Sequence, residues 1–286
     1  MAFLFYLDHM NHVCVNGKIM AADEAAIQVS NRGYRYGDGL FETMKRRQNQ
    51  ILLGALHFER LFYGMALLKF NVPEYFNPDR ISREITELCR KNECNKLARV
   101  RLSVSRGNGG LYDDTRDFCY SIECWPLKDS INDSLGEGML IDIYPDARKS
   151  CDLFSNLKSA NFLPYAMAAI HAQEIGLDDC LLLNINDRIA DSTTANIFLV
   201  KGDKIVTPPL TEGCVSGVMR KFLLKNFNNR GYQFLEEKIE VDDLLKADEI
   251  FLTNAIHGLR WVKQFREKTY TNSLAAEILD QLGEIW

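Results

Sequence analysis

The chain has 286 residues, of which 47% are hydrophobic and 26% are charged, and its formal net charge is −5. This composition excludes intrinsic disorder as the main state, and the length suggests one large domain or two ordinary ones. The charges are spread along the chain, so we expect neither a nucleic-acid partner nor a membrane surface as partner. No apolar run approaches about 20 residues, and the N-terminus has no basic start, so we expect neither a membrane span nor a signal peptide.

The eight cysteines are scattered along the chain. They form no C-x-x-C pair, and we find no Cys/His cluster with the spacing of zinc ligands. We therefore expect free thiols, a reducing cytoplasmic location and no metal site.

The pattern of the first part of the chain predicts short strands followed by two helices. Asn16-Gly17 lies between two apolar runs and is typical of a tight hairpin. Strict alternation of polar and apolar residues over 99–105 indicates a half-buried strand, which ends in a Gly-rich loop at 107–110. The other predicted elements are a strand over 40–44, a returning strand over 51–53, and helices over 57–70 and 79–91.

Residues 126–137 have the composition of a linker, so we predict an N-terminal domain over 1–125 and a C-terminal domain over 138–286. Strands and helices alternate without a steady βαβ rhythm, which indicates an α+β fold. The C-terminal strands are predicted near 139–145, 180–185, 195–200, 204–207, 232–240 and 249–256. The C-terminal helices are predicted near 164–175, 216–230 and 272–284.

Two Gly-rich segments could be taken for nucleotide-binding loops, but neither has the required pattern. Residues 36–42 (YGDGLFE) lack a third glycine and lead into a strand, and residues 106–114 (RGNGGLYDD) have no Lys-Ser/Thr pair. A Ser-His-Asp hydrolase is also unsupported, because the chain contains no G-x-S-x-G.

Four positions are candidates for chemistry, each with a plain structural alternative. Lys158 lies among small and apolar residues and is either a surface side chain or a desolvated nucleophilic amine. Asp191 is either a turn residue or a functional carboxylate. The helix start at 216–219 offers backbone N–H groups to a phosphate, as every helix start does, and Arg60 on a helix face is either solvated or bound to a phosphate.

Six segments occur together in the order found in one enzyme family. They are RGYRYGDGLFET (32–43), HFERL (57–61), NLKSANFLPY (156–165), RIADSTTANIFLV (188–200), GCVSGVMRKFLL (213–224) and EIFLTNAIHGLRWV (249–262). In these segments the chain resembles the class IV aminotransferases, the pyridoxal 5'-phosphate (PLP) enzymes of fold type IV. The resemblance covers about residues 12–265. It implies a two-domain fold similar to D-amino-acid aminotransferase, with a smaller α/β N-terminal domain and a larger barrel-like C-terminal domain that carries the PLP lysine.

The resemblance assigns roles to the candidate residues. Lys158 resembles the lysine that holds PLP as an internal aldimine and then moves the α-proton of the substrate. Arg60 resembles the helix arginine that contacts the PLP phosphate, and the N–H groups of Val218 and Met219 resemble the rest of the phosphate cup. Asp191 matches the carboxylate that pairs with the pyridine nitrogen and strengthens the ring as an electron sink. The other cofactor-binding positions that the resemblance implies are Ser192, Thr193, Asn254 and Ala255.

Two of these positions depart from the family's usual residues. Asp191 stands where the family usually has Glu, five residues before the Asn matched by Asn196, and it is one methylene shorter. Met219 stands where the family more often has Thr, so a hydroxyl near the phosphate is lost while the backbone N–H remains.

The subgroups of the family differ in how they hold the substrate carboxylate. D-amino-acid aminotransferases use a Tyr, an Arg and a His, which are replaced at the matching positions by Phe41, Leu111 and Asp113. Leu111 also replaces an Arg that aminodeoxychorismate lyases usually carry, although SRGNGG, KSAN and TNA are otherwise similar to the lyases. Tyr36 and Arg101 resemble the Tyr and strand Arg of branched-chain enzymes, with a plain salt bridge as the alternative role for Arg101.

We therefore expect a PLP-dependent aminotransferase that acts on a small amino acid and a 2-oxo acid. Phe41, Tyr36 and Arg101 are the expected substrate-binding residues. The alternative is 4-amino-4-deoxychorismate lyase, which releases pyruvate and 4-aminobenzoate, and a third alternative is a relative that binds a ligand without catalysis. The resemblance also implies a homodimer, with the Gly-rich loop near 106–114 as the segment given to the partner.

Overall fold

A computed structural model describes residues 10–113, 118–128, 135–228 and 231–283. The chain divides into two compact units. Unit 1 runs to Ile131 and includes Lys158–Asn161, and unit 2 comprises Asn132–Leu157 and the chain from Phe162 onward. The short segment that carries Lys158 therefore belongs to unit 1.

Unit 1 is built on a six-stranded sheet with the strand order β2-β1-β6-β5-β3-β4, in which every neighbouring pair is antiparallel. Its strands are β1 (His12–Val15), β2 (Lys18–Ala21), β3 (Gly39–Arg47), β4 (Gln50–Ile51), β5 (Leu97–Arg106) and β6 (Phe118–Pro126).

Local sequence explains how these strands are joined. Asn16 and Gly17 both have positive φ, at 50° and 83°, as a tight β1–β2 hairpin requires, so the predicted hairpin is confirmed. In β5, Val100, Leu102 and Val104 are buried while the polar residues between them are half-buried, as the alternation predicted.

Three helices accompany this sheet, namely α1 (Arg32–Tyr36), α2 (Gly54–Leu67) and α3 (Pro78–Lys91). The side chain of Asn31 caps α1, and that of Asn77 caps α3 beside Pro78. In contrast, the N-cap residue of α2 is Leu53, which has the left-handed backbone conformation and makes no side-chain capping bond. The predicted helices 57–70 and 79–91 are therefore present, and the first begins three residues earlier.

Unit 2 contains a nine-stranded mixed sheet with the order β12-β11-β10-β13-β14-β7-β8-β9, in which β15 pairs with β14. Its strands are β7 (Met139–Lys149), β8 (Asp179–Asn184), β9 (Ile189–Ser192), β10 (Asn196–Lys201), β11 (Lys204–Thr207), β12 (Gln233–Glu236), β13 (Glu249–Asn254), β14 (Gly258–Phe265) and β15 (Lys268–Thr269). β7 pairs in parallel with both β8 and β14, and β11 pairs in parallel with β12, whereas the other neighbouring strands of this sheet are antiparallel.

The helices of unit 2 are α4 (Leu163–Glu174), α5 (Val218–Asn226), α6 (Val241–Lys246) and α7 (Ser273–Gly283). One buried cluster fills the space beside the sheet with aliphatic side chains that include Leu181, Leu199 and Leu252. A second cluster packs α4 through Tyr165 and Ala168 onto Cys180 and Leu182 of β8. Strand β8 is therefore covered on both faces, because Leu181 and Leu183 belong to the first cluster and Cys180 and Leu182 to the second.

The mixture of helices and mainly antiparallel strands confirms the expected α+β fold. The expected linker lies partly outside the described residues, because 129–134 are not described, and β6 extends to Pro126. None of the helices in the described part of the chain is both long and apolar enough to span a bilayer.

Candidate functional site

In unit 1, Lys158 is positioned by backbone pairing with the start of β3. Phe41 N–H donates to the carbonyl of Lys158 at 2.9 Å, and Ala160 N–H donates to the carbonyl of Gly39 at 2.9 Å. This pairing places the Lys158 Nζ atom 4.6 Å from the centre of the Phe41 ring. The side chain is half-buried against an aromatic face, which differs from a solvated surface lysine.

Arg101 lies against the same ring. Its guanidinium carbon is 4.0 Å from the centre of the Phe41 ring, since Phe41 on β3 and Arg101 on β5 belong to adjacent strands. Arg101 Nε is also 3.9 Å from Oε2 of Glu123, so the salt-bridge alternative describes part of its environment. Three of the residues expected at the site are therefore gathered around one ring.

A buried charged group lies on the strand and helix beside this ring. Glu42 of β3 accepts hydrogen bonds from Arg60 Nε at 2.8 Å and from Arg60 Nη2 at 2.6 Å. His57 Nδ1 lies 2.6 Å from Oε2 of the same carboxylate. Arg60 is thus not a solvated side chain, because two of its nitrogens bind Glu42.

Burial and the neighbouring charges shift the pKa values of Glu42 and His57. Burial alone would raise the pKa of Glu42, but the positive charge of Arg60 and hydrogen bonds from Arg60 and His57 lower it to about 2. Burial lowers the pKa of His57 below its usual 6.5, against the opposing effect of Glu42, and the charges of Arg60 and Lys158 lower it further. Near neutral pH the group is therefore a carboxylate, a guanidinium and a neutral imidazole.

Tyr36 lies at the C-terminal end of α1 and is 41% exposed. The guanidinium carbon of Arg32 lies 5.9 Å from the centre of its ring, and Arg32 Nε also binds Asp38 at 2.9 Å. Asp38 receives a second bond at 2.8 Å from Arg106 Nε at the end of β5. This bridge fixes the turn that carries Tyr36.

The Gly-rich loop after β5 is tied down within its own unit over its described residues. Arg32 N–H donates to the carbonyl of Gly107 at 3.1 Å, and Gly109 N–H donates to the carbonyl of Ser30 at 3.0 Å. Asn108 Nδ2 bonds to Gln28, and Gly110 N–H donates to Asp113 at 2.6 Å. The described part of this loop is therefore held by hydrogen bonds within unit 1.

In unit 2, the carboxylate of Asp191 on β9 is buried and is held by three donors. Its Oδ2 atom accepts hydrogen bonds from Lys149 Nζ at 2.9 Å, from the Tyr165 hydroxyl at 3.0 Å and from Val215 N–H at 2.9 Å. Lys149 also bonds to the Tyr165 hydroxyl. Asp191 is therefore the centre of a polar cluster and more than a turn residue.

Helix α5 begins directly after the loop that bonds to Asp191. Its N-cap is Gly217, and its first two residues are Val218 and Met219, both with buried side chains. A Cβ atom at Gly217 would lie 1.8 Å from Oδ1 of Asn196, so a larger residue there would have to displace the Asn196 side chain. Gly217 as N-cap offers no side-chain acceptor to the first N–H groups of the helix, and such a helix start suits an anion.

The remaining expected cofactor residues have local roles. Thr193 Oγ1 donates to Asp179 at 2.6 Å, and Ser192 Oγ donates to the carbonyl of Ala195 at 3.2 Å. Asn254 Oδ1 accepts from His257 N–H at 2.8 Å and closes the turn that contains Ala255. The hydroxyl groups of Ser192 and Thr193 thus stabilise the chain after Asp191.

Three residues that contact the expected site residues were missed in the sequence, namely Glu42, Lys149 and Tyr165. Glu42 lies inside a quoted motif, but nothing local shows that its partners stand 15 and 18 residues later on a helix. Lys149 and Tyr165 approach Asp191 from sequence separations of 42 and 26 residues, so no local pattern marks them.

The donor sets of the two units fit the parts of PLP. In unit 2, the uncapped start of α5 suits a phosphate, and Oδ1 of Asp191 retains acceptor capacity for a protonated pyridine nitrogen. In unit 1, Lys158 supplies the amine that a carbonyl group requires. The residues present are therefore compatible with this cofactor.

Comparison with known proteins gives matches over nearly the whole chain. The family described as amino-transferase class IV matches residues 39–265. A Methanocaldococcus jannaschii protein provisionally assigned as a branched-chain-amino-acid aminotransferase is 29% identical over 280 residues, which cover 95% of this chain and 94% of the relative. The aminodeoxychorismate lyase of Bacillus subtilis is 28% identical over 254 residues, which cover 85% of this chain and 83% of that protein.

The fold also matches a solved structure. The branched-chain aminotransferase of the archaeon Thermoproteus uzoniensis, determined with norvaline, superposes with a TM-score of 0.86 at 21% identity. The match covers 96% of this chain and 94% of that chain. The fold expected from the sequence motifs is thereby confirmed. From the family match over residues 39–265, we conclude that this chain belongs to the class IV aminotransferase family.

Proposed function

We propose that this enzyme is a PLP-dependent aminotransferase that transfers an amino group from a small, branched-chain-type amino acid to a 2-oxo acid. The observation that carries the proposal is the shared contact of Lys158 and Arg101 with the Phe41 ring. An amine that can bind a carbonyl and a cation that can bind a carboxylate then lie on one small surface. An α-amino acid offers a carboxylate one carbon away from its amino group.

We assign the cofactor to Lys158, Asp191, Arg60 and the N–H groups of Val218 and Met219. When bound, PLP supplies an aldehyde that reacts with amines and a ring that accepts electrons from the substrate's α-carbon. Asp191 stabilises positive charge at the ring nitrogen, and the start of α5 binds the phosphate. The Glu42 carboxylate orients Arg60, because two hydrogen bonds fix the plane of the guanidinium.

Lys158 would also carry a proton whenever its amine is free. A neutral lysine amine next to the α-carbon takes the α-proton and returns it to a neighbouring carbon. The Phe41 ring limits water on one side of this amine. Arg101 and Tyr36 hold the carboxylate, so that the α-hydrogen faces the amine.

The alternative function is aminodeoxychorismate lyase, which the Bacillus subtilis relative favours. A product assay decides between the two reactions. The holoenzyme is incubated with a branched-chain amino acid and 2-oxoglutarate, and separately with aminodeoxychorismate. We expect the branched-chain oxo acid and glutamate in the first reaction. Pyruvate and 4-aminobenzoate from the second, with no oxo acid from the first, would replace this proposal with the lyase.

We also propose that the enzyme is a homodimer in the cytoplasm. The α1 region and the Gly-rich loop of unit 1 expose large apolar side chains, including Val29 at 76%, Tyr34 at 76% and Tyr112 at 96%. Apolar groups exposed on this scale favour a protein partner, and a second copy is the partner the family resemblance implies. Sedimentation at micromolar protein should give twice the mass of the chain, whereas a monomer of full activity would contradict the dimer.

The eight free cysteines fit a reducing compartment, which supports the proposed cytoplasmic location.

A further inference from the structure

Three cysteines of unit 1 bring their sulfur atoms together away from the residues assigned to catalysis. The Sγ atoms of Cys89, Cys94 and Cys124 all lie within 4.8 Å of one another. The Cys94 and Cys124 sulfurs are 3.5 Å apart. Their exposed fractions are 0%, 3% and 0%, so the cluster is buried.

Local structure explains how the cluster is assembled. Cys89 lies in the last turn of α3, and the chain then reverses through Asn92 and Glu93, the latter with φ of 55°. Cys94 N–H donates to the carbonyl of Cys89 at 2.9 Å, which closes the turn and brings the two side chains together. Cys124 projects into the same space from β6, against which α3 packs.

The sulfur separations match those of a soft divalent metal site. Zinc binds thiolates at about 2.3 Å in tetrahedral geometry, which places the sulfurs roughly 3.8 Å apart. The observed separations, from 3.5 Å up to the 4.8 Å limit, include that value, so only small side-chain movements are needed. The four residues between Cys89 and Cys94 also fall within the usual spacing of paired zinc ligands, so this pair corrects the expectation that the sequence carries no such spacing.

The surroundings supply a compensating charge. Three thiolates and a zinc ion carry a net charge of −1, which is costly to bury alone. The buried guanidinium of Arg46 interacts electrostatically with Cys94 and is anchored at 3.0 Å to the carbonyl of Asn95. A bound metal would therefore leave a locally neutral group.

His12 offers a fourth ligand. Its backbone N–H donates to Asn92 Oδ1 at 2.9 Å, and Asn92 Nδ2 contacts the Cys124 sulfur at 3.3 Å, so His12 adjoins the cluster. The Nδ1 atom of His12 is buried and has no hydrogen-bond partner within the described residues. An imidazole nitrogen in this condition is a suitable zinc donor after a side-chain rotation.

We propose that Cys89, Cys94 and Cys124 bind a structural zinc ion, with His12 as the fourth ligand. Three zinc–sulfur bonds form as the three thiol protons pass to solvent, and no atom is oxidised or reduced. The metal joins the end of α3 to strands β1 and β6 and stabilises unit 1. The proposal is independent of the reaction that the enzyme catalyses.

The test is metal content measured on purified holoenzyme. Protein is reduced, incubated with Zn²⁺ alone, dialysed and analysed by mass spectrometry for metal and separately for PLP. We expect about one zinc per chain in the wild type and less than about a tenth of that in Cys94→Ser and Cys124→Ser. Cys14→Ser is the matched control, because Cys14 is equally buried in the same sheet but lies outside the cluster, and it should retain the zinc.

If the serine variants do not fold, titration of the wild-type protein with Co²⁺ tests the site without them. Co²⁺ in the site should give a thiolate charge-transfer band and the strong visible bands of tetrahedral cobalt. Absence of both zinc and these bands in reduced wild-type protein would overturn the proposal. Zinc retained equally by Cys94→Ser would also overturn it, as would a native Cys94–Cys124 disulfide, seen as the loss of two hydrogens in the intact mass.

Discussion

The Nζ atom of Lys149 lies 2.9 Å from Oδ2 of Asp191, and both side chains are buried. Oδ1 of Asp191 receives only a 3.3 Å contact from the Tyr165 hydroxyl among the described residues. One oxygen is thus saturated and fixes the carboxylate, while the other can accept a further hydrogen bond. The family's usual residue here is the longer Glu. In this chain Lys149, Tyr165 and Val215 fix the position of the shorter Asp191 carboxylate.

We predict that Asp191→Asn lowers turnover per bound PLP by about 100-fold or more. The amide keeps nearly the same volume but removes the negative charge that stabilises a protonated ring nitrogen, and this charge matters most in the transition state. Asp191→Glu should keep turnover within about 10-fold, because it restores the family's usual carboxylate. Turnover is measured by the product assay and divided by the PLP content of each variant.

A stability control separates this role from a structural one. Asp191→Asn also leaves the buried Lys149 without its charged partner, which costs free energy of unfolding. Glu249→Gln is the matched control, because Glu249 is a buried carboxylate of unit 2 that accepts from Leu274 N–H at 2.9 Å at the start of α7. It should lose stability but keep turnover per bound PLP. Unchanged turnover per PLP in Asp191→Asn would contradict the assigned role.

We predict that Glu42 makes the enzyme sensitive to acid. Its pKa in the folded protein is about 2, below the ordinary 4.5, so the unfolded chain binds its proton first as the pH falls. The stability that Glu42 contributes is present above about pH 4.5 and is lost as the pH falls toward 2. The difference corresponds to about 3 kcal/mol. His57, with its lowered pKa, acts in the same direction below about pH 6.5.

Urea unfolding of the holoenzyme at several pH values checks this prediction. Glu42→Gln should be less stable at pH 7 by about 3 kcal/mol and should show a flatter decline below pH 4.5. Glu74→Gln serves as the control, because Glu74 is exposed, and its curve should follow the wild type. If Glu42→Gln and the wild type lose stability in parallel from pH 5 to 3, the charge cluster does not stabilise the fold as described.

We predict that Arg101→Met raises the KM for the amino acid by about 10- to 100-fold, since a charge-assisted bond to the carboxylate is lost. PLP content should stay unchanged, and Arg101→Lys should recover part of the loss. Arg99→Met is the control, because Arg99 lies two residues earlier on the same side of β5 but stacks on Trp125. A loss of stability without a change in KM would show that Arg101 serves only Glu123.

Much of the fold could be predicted because its signals are local. The Asn16-Gly17 hairpin, the alternating β5 strand and the helix opened by Pro78 each carry their own turn, pattern or cap. The helix α1 was missed because its five residues are too few to show a helical period. Strand β9 was missed because all four of its residues are buried, so they show no alternation of polar and apolar residues. The strand predicted over 232–240 is shorter in the structure, where β12 covers only Gln233–Glu236 and a capping box between Glu240 and Asp243 begins α6.

The residues of the candidate site that lie in sequence motifs could be predicted. Residues that reach the site only through contacts distant in sequence could not. Lys158, Arg60 and Asp191 lie in motifs that resemble the family, but Lys149 does not. Strand β7 continues past the predicted end at 145, and its register with β8 shifts between Ile143 and Arg148. A register shift changes which side chains face the core, so the alternation in the sequence could not place Lys149 beside Asp191.

We propose that Lys158 is the amine that anchors the cofactor, and reduction of the holoenzyme with borohydride followed by peptide mapping tests this assignment. We predict that the phosphopyridoxyl group is found on the peptide containing Lys158. We also predict that Lys158→Ala folds with an unchanged far-ultraviolet spectrum but lacks the reducible chromophore and nearly all turnover. Lys149→Arg is the control and should keep the modification at Lys158. A phosphopyridoxyl group on Lys149 or any other lysine of the wild type, or a reducible chromophore in Lys158→Ala, would contradict the account.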